Sequence, residues 1–219
     1  TKSLNNFKKH ILTPNKEKKI DIFLHSWKTH EMTEKKLLEL YKPLKYIYED
    51  KILFDKDKKW NYFYSRWNST SKVLNLVFQE EKKYDYIMLC RFDLVFHKNI
   101  VFNFDNSYFY CSHWVDASKE AQKNGLLDYW FISNNNNMKI FSTIFDELNN
   151  YRKVESENYI KSNHTICKHH LVKKNLSDKI KYVMVEIIDF NLERFLNNNW
   201  DGWKKTWYNE KKMKHLSIF

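Results

Sequence analysis

Glycine is nearly absent from this 219-residue sequence, in which only Gly125 and Gly202 occur. A Walker loop or a GxGxxG dinucleotide fingerprint needs several glycines, because backbone amides must approach the phosphates closely. The composition therefore excludes both kinds of glycine-rich phosphate site. Any phosphate that the chain binds must be held by side chains or by a metal ion.

Cysteine and long apolar runs are also scarce. The three cysteines, Cys90, Cys111 and Cys167, are an odd number without CxxC spacing, which indicates free thiols in a reducing compartment. No uncharged apolar run is long enough to cross a membrane, and Lys8 and Lys9 interrupt the first apolar stretch, so we expect no signal peptide. These features predict a soluble cytoplasmic protein.

Positive charge is the main excess. Lysine and arginine total 38 against 27 acidic residues, a formal net charge of +11, which favours anionic partners such as nucleic acid, acidic membranes or phosphorylated ligands. The lysines are scattered along the chain, so the charge does not single out nucleic acid. With 42% hydrophobic and 17% aromatic residues, the sequence predicts one folded domain over residues 1–219.

Apolar periodicity predicts an α/β fold. Residues 20–24 form an expected buried strand ending at His25-Ser26-Trp27, followed by a helix capped by Thr33 and a strand at 46–48. A second helix is expected from a cap at Ser69 or Thr70 to Lys82, and then a central strand at 86–90. Further strands are expected at 101–102, 108–111, 130–132 and 181–185, and helices through 138–148 and over 156–174. We expect a mixed, mainly parallel central sheet flanked by helices.

Charged residues follow the most apolar strand directly. Arg91 and Asp93 alternate with Phe92 and therefore project to one side. A carboxylate there can bind Mg²⁺ or Mn²⁺, and the guanidinium can bind a phosphate oxygen. The alternative is an Arg91–Asp93 ion pair that closes the strand.

Four segments in this order resemble small GT-A glycosyltransferases of bacterial and large-virus surface-glycan loci. They are residues 21–27 (DIFLHSW), 38–43 (LELYKP), 84–86 (YDY) and 91–96 (RFDLVF), and the likeness covers Asp21 to Leu148. It implies a Rossmann-like GT-A domain that transfers a sugar from a nucleotide-sugar donor to a glycan hydroxyl. It also implies the cytoplasm, or the host-cell cytosol for a viral protein, with no nucleic-acid partner and at most peripheral membrane contact.

The chain departs from that family in two places. The family's metal-binding DxD motif is filled only at Asp93, with Arg91 at the first acidic position; the resemblance implies that Asp93 binds Mn²⁺ or Mg²⁺. Relatives also have an opening strand ahead of a helix like residues 5–11, and we identify no counterpart of that strand.

Donor contacts are expected around two segments. Trp27 and His25, at a strand end, are suited to stacking on and hydrogen bonding to a nucleotide, although Trp27 can equally be a core residue. The resemblance implies further donor contacts from residues flanking the helix before the Arg91 strand, namely Ser65, Arg66, Ser71 and Lys72. The alternative for Arg66 and Lys72 is a solvated surface position.

Asp128 is the expected catalytic base, because segment 127–131 (LDYWF) is similar to the family's acidic-aromatic acceptor segment. An inverting transfer needs a carboxylate to deprotonate the acceptor hydroxyl. Asp116 is the reserve candidate. The alternative is that Asp128 caps the strand or binds a backbone amide.

A cluster of histidines and a cysteine and a tryptophan-rich segment near the C-terminal end are two further candidates. Residues His164, Cys167, His169 and His170 do not share one helical face, which argues against zinc and leaves one of these histidines to reach the donor diphosphate or its metal. Residues 200–203 (WDGW) are expected to dock on the core rather than to form an acceptor lid.

Two rival functions remain. The charge and the interleaved aromatics of residues 60–67 favour a nucleic-acid-binding protein or nuclease, which would bind with a steep dependence on salt. A non-catalytic glycan-binding module would keep the fold without cleaving a donor.

Overall fold

The computed structural model describes residues 2–30, 32–114, 124–153 and 160–193. Within these ranges eight strands form three hydrogen-bonded groups. They are the pair β1 (Phe23–Trp27) and β2 (Lys45–Glu49), the four-stranded sheet β3 (Ile87–Cys90), β6 (Trp130–Ser133), β5 (Phe109–His113) and β7 (Ile180–Val185) in that spatial order, and the pair β4 (Leu94–Phe96) and β8 (Phe190–Leu192).

Six α-helices flank these strands in the described ranges. They are α1 (Lys2–Phe7), α2 (Glu34–Tyr41), α3 (Lys58–Phe78), α4 (Asn135–Ser142), α5 (Leu148–Lys153) and α6 (Asn163–Lys173). A π-helical turn (Lys8–Leu12) continues α1, and 3₁₀ turns cover Thr13–Asn15 and Ser177–Lys179. None of the helices that the structure describes is long and apolar enough to cross a membrane.

The sheet is mixed, as expected, but its pairings are not mainly parallel. β1 pairs with β2 and β5 with β7 in parallel, whereas β6 is antiparallel to both β3 and β5, and β4 is antiparallel to β8. A strand that is buried on both faces has the same apolar pattern whichever way its neighbour runs. The sequence pattern therefore could not reveal that β6 enters the sheet in the opposite direction.

Side-chain alternation along the four-stranded sheet builds a core on each face. Phe109, Cys111 and Phe131 face a core that α3, α4 and α6 complete, while Tyr110 and Ile132 face a second core that also includes residues of β4 and β8. Successive residues of a strand point to opposite faces, which explains why these strands have almost no polar positions.

The helix α3 begins eleven or twelve residues before the expected caps Ser69 and Thr70, so that prediction is wrong. Asp57 caps it by accepting a hydrogen bond from the Trp60 amide at 2.9 Å. Ser69 and Thr70 lie inside the helix, where their hydroxyls bond to other side chains, and a hydroxyl residue at a buried contact resembles a cap in the sequence. The Thr33 cap of α2 is confirmed, since its hydroxyl accepts from the Lys36 amide at 3.3 Å.

Several other boundaries differ from expectation. Residues 101–102 form no strand, and the helix expected through 138–148 is interrupted between α4 and α5. β1 begins at Phe23, so His25 and Trp27 belong to the strand itself. The helix expected over 156–174 is described from Asn163, with Ser162 as its cap in a capping box, while 154–159 lie outside the described residues.

The path of α3 brings the carboxyl ends of β1, β2 and β3 to one edge. Lys45, at the start of β2, pairs with Glu80 just beyond the end of α3, at 2.5 Å. Arg66, in the first half of α3, meets Asp128, which lies two residues before Trp130, the residue that pairs with Cys90 at the end of β3. The helix α3 runs antiparallel to β2 before it and to β3 after it. It therefore carries the chain back, and β2 and β3 run in the same direction.

Candidate functional site

A cavity of about 840 Å³ separates β1 from β3. Residues 20–25 and 84–91 line its two sides, and residues of α1 and α3 complete its walls. In the described part of the chain no strand lies between β1 and β3, the two edges that this cavity divides. Six of the expected donor or metal residues line it, namely His25, Trp27, Ser65, Arg66, Arg91 and Asp93, whereas Ser71 and Lys72 do not.

Arg91 and Asp93 form a two-pronged ion pair at the edge of this cavity. Arg91 Nε lies 2.9 Å from Asp93 Oδ1, and a terminal guanidinium nitrogen lies 2.9 Å from Oδ2. Burial alone lowers the pKa of Arg91, but the bond to Asp93 outweighs it and raises that pKa. The ion-pair alternative is therefore present in the structure.

Metal binding at Asp93 would need two changes. Both carboxylate oxygens are engaged by Arg91, and no group of three or more His, Cys, Asp or Glu side chains suited to a metal occurs among the described residues. Mg²⁺ is commonly held by one or two carboxylates together with substrate phosphates. Asp93 fits such a metal only when Arg91 has released it and phosphates supply the other ligands.

His25 is enclosed in a hydrogen-bond network rather than directed at a ligand. Its Nε2 donates to Glu49 Oε1 at 3.0 Å and its Nδ1 accepts from the Ser69 hydroxyl at 2.8 Å, while Lys72 Nζ reaches the same Glu49 oxygen at 2.5 Å. Burial lowers the pKa of His25, and the Lys72 charge lowers it further against the opposing effect of Glu49. Through Glu49, His25 and Lys72 thus stabilise the strand end at which Trp27 faces the cavity.

Trp27 is half-buried, which leaves part of its ring at the cavity. It packs edge-on against His25 at 4.7 Å and against Phe54 at 6.4 Å, and Lys72 Nζ lies 5.8 Å from its ring centroid. A ring fixed on one side and open on the other is suited to stacking on a planar or sugar ring.

Arg66 connects the cavity to a buried acidic residue. Its guanidinium donates to Thr70 Oγ1 and to the Asp128 carbonyl, both at 2.7 Å, and its Nε lies 3.4 Å from Asp128 Oδ2. The alternative of a solvated surface position for Arg66 does not apply, because 16% of the side chain is exposed.

Asp128 is held by the Arg66 guanidinium and the His164 imidazole. It is 2% exposed, and its Oδ1 lies 2.8 Å from His164 Nδ1. Burial raises its pKa, but His164, Arg66 and Arg91 together outweigh that effect and hold the pKa well below its ordinary value. A buried, strongly ionised carboxylate is a weak proton acceptor and a good support for an imidazole.

His164 is the accessible member of this pair. It is the second residue of α6, 23% of its side chain is exposed, and it packs edge-on against Trp114 and Tyr129 with centroids 4.8 Å and 5.9 Å away. Burial lowers its pKa, yet the bond to Asp128 and the charges of Asp128 and Glu186 outweigh burial and raise it.

Glu186 is a candidate that the sequence reasoning missed. It directly follows β7, is 7% exposed and lies near His164 and Tyr129. Burial raises its pKa to about 7, against the opposing effects of His164 and Tyr129. The signal was available, because an acidic residue at the end of an apolar strand is the pattern that identified Asp93.

The remaining candidates lie elsewhere. Asp116 and residues 200–203 fall outside the described residues. His170 Nδ1 accepts a hydrogen bond from the Tyr151 hydroxyl at 2.7 Å, and Cys167 is fully buried in the core. Neither of these two side chains contacts the Asp128–His164 pair through a hydrogen bond in the described structure.

No protein-family model and no curated protein sequence matches this chain. At one edge of the sheet the structure brings together two arginines suited to phosphate, an aromatic ring open to a cavity, and a histidine–carboxylate pair with a second acid beside it.

Proposed function

We propose that this chain is a glycosyltransferase that moves a sugar from a nucleoside-diphosphate donor to a hydroxyl of a glycan acceptor. The observation that carries the proposal is the contact between Arg66, which lines the cavity, and the pair formed by the buried Asp128 and the partly exposed His164. Sugar transfer from a diphosphate needs cations for the leaving group and a proton acceptor for the attacking hydroxyl at one place.

Arg91 would hold the donor diphosphate. Its guanidinium already donates two parallel hydrogen bonds to the Asp93 carboxylate, and two oxygens of a phosphate can accept the same pair of bonds. A diphosphate that takes Arg91 would free Asp93 to hold Mn²⁺ or Mg²⁺, which supplies positive charge for the departing diphosphate. Trp27 would stack on the nucleotide or the sugar at the cavity edge.

His164, in its neutral form, would accept the proton of the acceptor hydroxyl in place of Asp128, so the rate should rise as the pH rises through its raised pKa. As the hydroxyl oxygen bonds to the anomeric carbon and the bond to the diphosphate breaks, the proton passes to the imidazole, which Asp128 orients and stabilises once it is charged. The Asp128 role expected from the sequence thus becomes that of a positioning residue in this proposal.

Donor binding is tested by thermal melting with UDP-, GDP- and CMP-sugars, with and without Mn²⁺. We expect one nucleotide class to raise the melting temperature in a metal-dependent way, and Arg91→Lys and Asp93→Asn to lose that shift. Asp50→Asn is the matched control, since Asp50 is an exposed carboxylate that pairs with Lys28 away from the cavity.

Catalysis is tested by release of the free nucleotide from the donor in that class. His164→Gln should lower the rate by about 10²- to 10⁴-fold while the melting shift persists, because general-base catalysis contributes in that range. The exposed His30→Gln is the control. Salt-dependent binding of oligonucleotides without any nucleotide-sugar shift would instead identify a nucleic-acid-binding protein, and glycan binding without donor binding would identify a non-catalytic module.

A further inference from the structure

The loop between β2 and α3 is fastened to the protein at two points. Phe54 packs against Tyr64 and Phe145, with ring centroids 6.2 Å and 5.9 Å away, and its amide donates to Asn61 Oδ1 at 2.8 Å. Asp55, the next residue, pairs with Arg152. The conformation of the loop is therefore defined by these contacts.

Beside those anchors, two apolar residues are directed outward. Ile52 is 39% exposed and Leu53 is 75% exposed, and Tyr62, in the second turn of α3, is 57% exposed. Four exposed lysines surround them in the sequence: Lys51, Lys56, Lys58 and Lys59. We call these seven residues the loop patch.

The loop patch combines exposed apolar side chains with positive charge, and a purely apolar or a purely anionic partner would match only one of these properties. Exposed Leu53 and Ile52 favour transfer into an apolar medium. Four lysines within nine residues favour an anionic surface, because they outnumber the two carboxylates of the same stretch, Asp55, which pairs with Arg152, and Asp57, which caps α3. The boundary between lipid headgroups and acyl chains of an acidic membrane offers both, because apolar side chains insert while lysines remain among the phosphates.

We propose that the loop patch binds the surface of a membrane that contains anionic lipids, with Leu53 and Ile52 inserted below the headgroups. This binding does not depend on the proposed function. Tyr62 also lines the cavity, so docking through the patch brings the cavity beside the membrane. If the proposed function holds, this position places the cavity within reach of an acceptor glycan that is attached to a lipid.

The charge requirement is tested by vesicle flotation of the full chain with phosphatidylcholine vesicles, with and without phosphatidylglycerol. We expect binding only to the acidic vesicles, weakened by added salt. Lys56→Glu together with Lys58→Glu should lower the partition coefficient more than about twentyfold, since each lysine near an anionic surface contributes about fivefold. Lys8→Glu with Lys9→Glu makes the same change in net charge at another exposed lysine pair and should have a much smaller effect.

The apolar requirement separates a membrane from other polyanions. Leu53→Ser should lower the partition coefficient about tenfold, whereas Val172→Ser, at another exposed apolar position on α6 (48% exposed), should not. Binding to neutral vesicles alone, equal weakening by both lysine pairs, or no effect of Leu53→Ser would each overturn the proposal. Unchanged melting temperatures confirm that the variants, all at exposed positions, remain folded.

Discussion

Two histidines at the same edge of the sheet each contact a carboxylate, yet their pKa values move in opposite directions. His25 beside Glu49 has a lowered pKa, and His164 beside Asp128 has a raised one. Burial lowers the pKa of both. The comparison shows that a carboxylate neighbour does not by itself decide the protonation of a buried histidine.

The difference lies in what surrounds each carboxylate. The Glu49 side chain is 29% exposed and is shared with Lys72, whose charge opposes protonation of His25. The Asp128 side chain is 3% exposed, and Glu186 adds a second acid near His164. A charge that water does not screen acts more strongly, so the Asp128 side of the edge favours a charged imidazole and the Glu49 side disfavours one.

The largest expected effect on stability comes from removing one of the two carboxylates, Asp128 or Glu49, at a time. Asp128→Ala leaves Arg66 and His164 without their partner in a buried site and should lower the free energy of unfolding by about 3–5 kcal/mol. Glu49→Ala should cost about 1 kcal/mol or less, because that carboxylate is partly solvated. Urea unfolding measures both, and equal costs would contradict the comparison.

A third buried histidine supplies a reference without an ion pair. Burial lowers the pKa of His170 to about 4, with Lys174 acting in the same direction. Because the folded pKa lies below the ordinary value of 6.5, the unfolded chain binds the proton first; the stability from His170 is complete above about pH 6.5 and falls by about 3 kcal/mol as the pH falls to 4.

Unfolding free energies measured across pH check this sign. His170→Gln should flatten the loss of stability on the acidic side. His164 has the opposite linkage, since its raised pKa contributes stability that is present below its unfolded pKa and lost as the pH rises through its folded pKa. His164→Gln should therefore remove a loss of stability above pH 6.5; a loss confined to the acidic side would show that the pKa of His164 is not raised in the folded state.

The smallest expected effect concerns Lys72 alone. Lys72→Met removes a cation that lowers the pKa of His25, so the pKa of His25 should rise while that of His164 stays unchanged. Nuclear magnetic resonance titration of the two imidazole rings measures this, with the exposed Lys36→Met as control. An unchanged His25 would mean that burial accounts for its lowered pKa without help from Lys72.

Local patterns in the sequence predicted most of the elements. The strands at β2, β3, β5, β6 and β7 and the start of α2 lie within a residue or two of expectation, because apolar alternation and the Thr33 cap are local signals. The start of α3, the interruption between α4 and α5, and the pair β4 and β8 were not predicted. Strands of three residues carry too little pattern to be recognised, and their pairing joins positions about a hundred residues apart.

The candidate site was predicted as a set of strand-end residues but not as an arrangement. Arg91, Asp93, Arg66 and Trp27 do line one cavity. The Arg91–Asp93 ion pair was expected as the alternative to metal binding and is present. No local pattern could show that Asp128 would be buried against His164, which lies on a helix 36 residues later in the chain.

By itself, the amino-acid sequence determined most of the strands and helices and several of the polar residues that end the strands, because these follow from periodicity and from capping groups close together in the chain. Tertiary structure alone decided which charges meet and which are removed from water. Those two conditions set the opposite pKa shifts of His25 and His164 and the accessibility of the second imidazole, since electrostatic interactions depend on distance and burial in space rather than on separation along the chain.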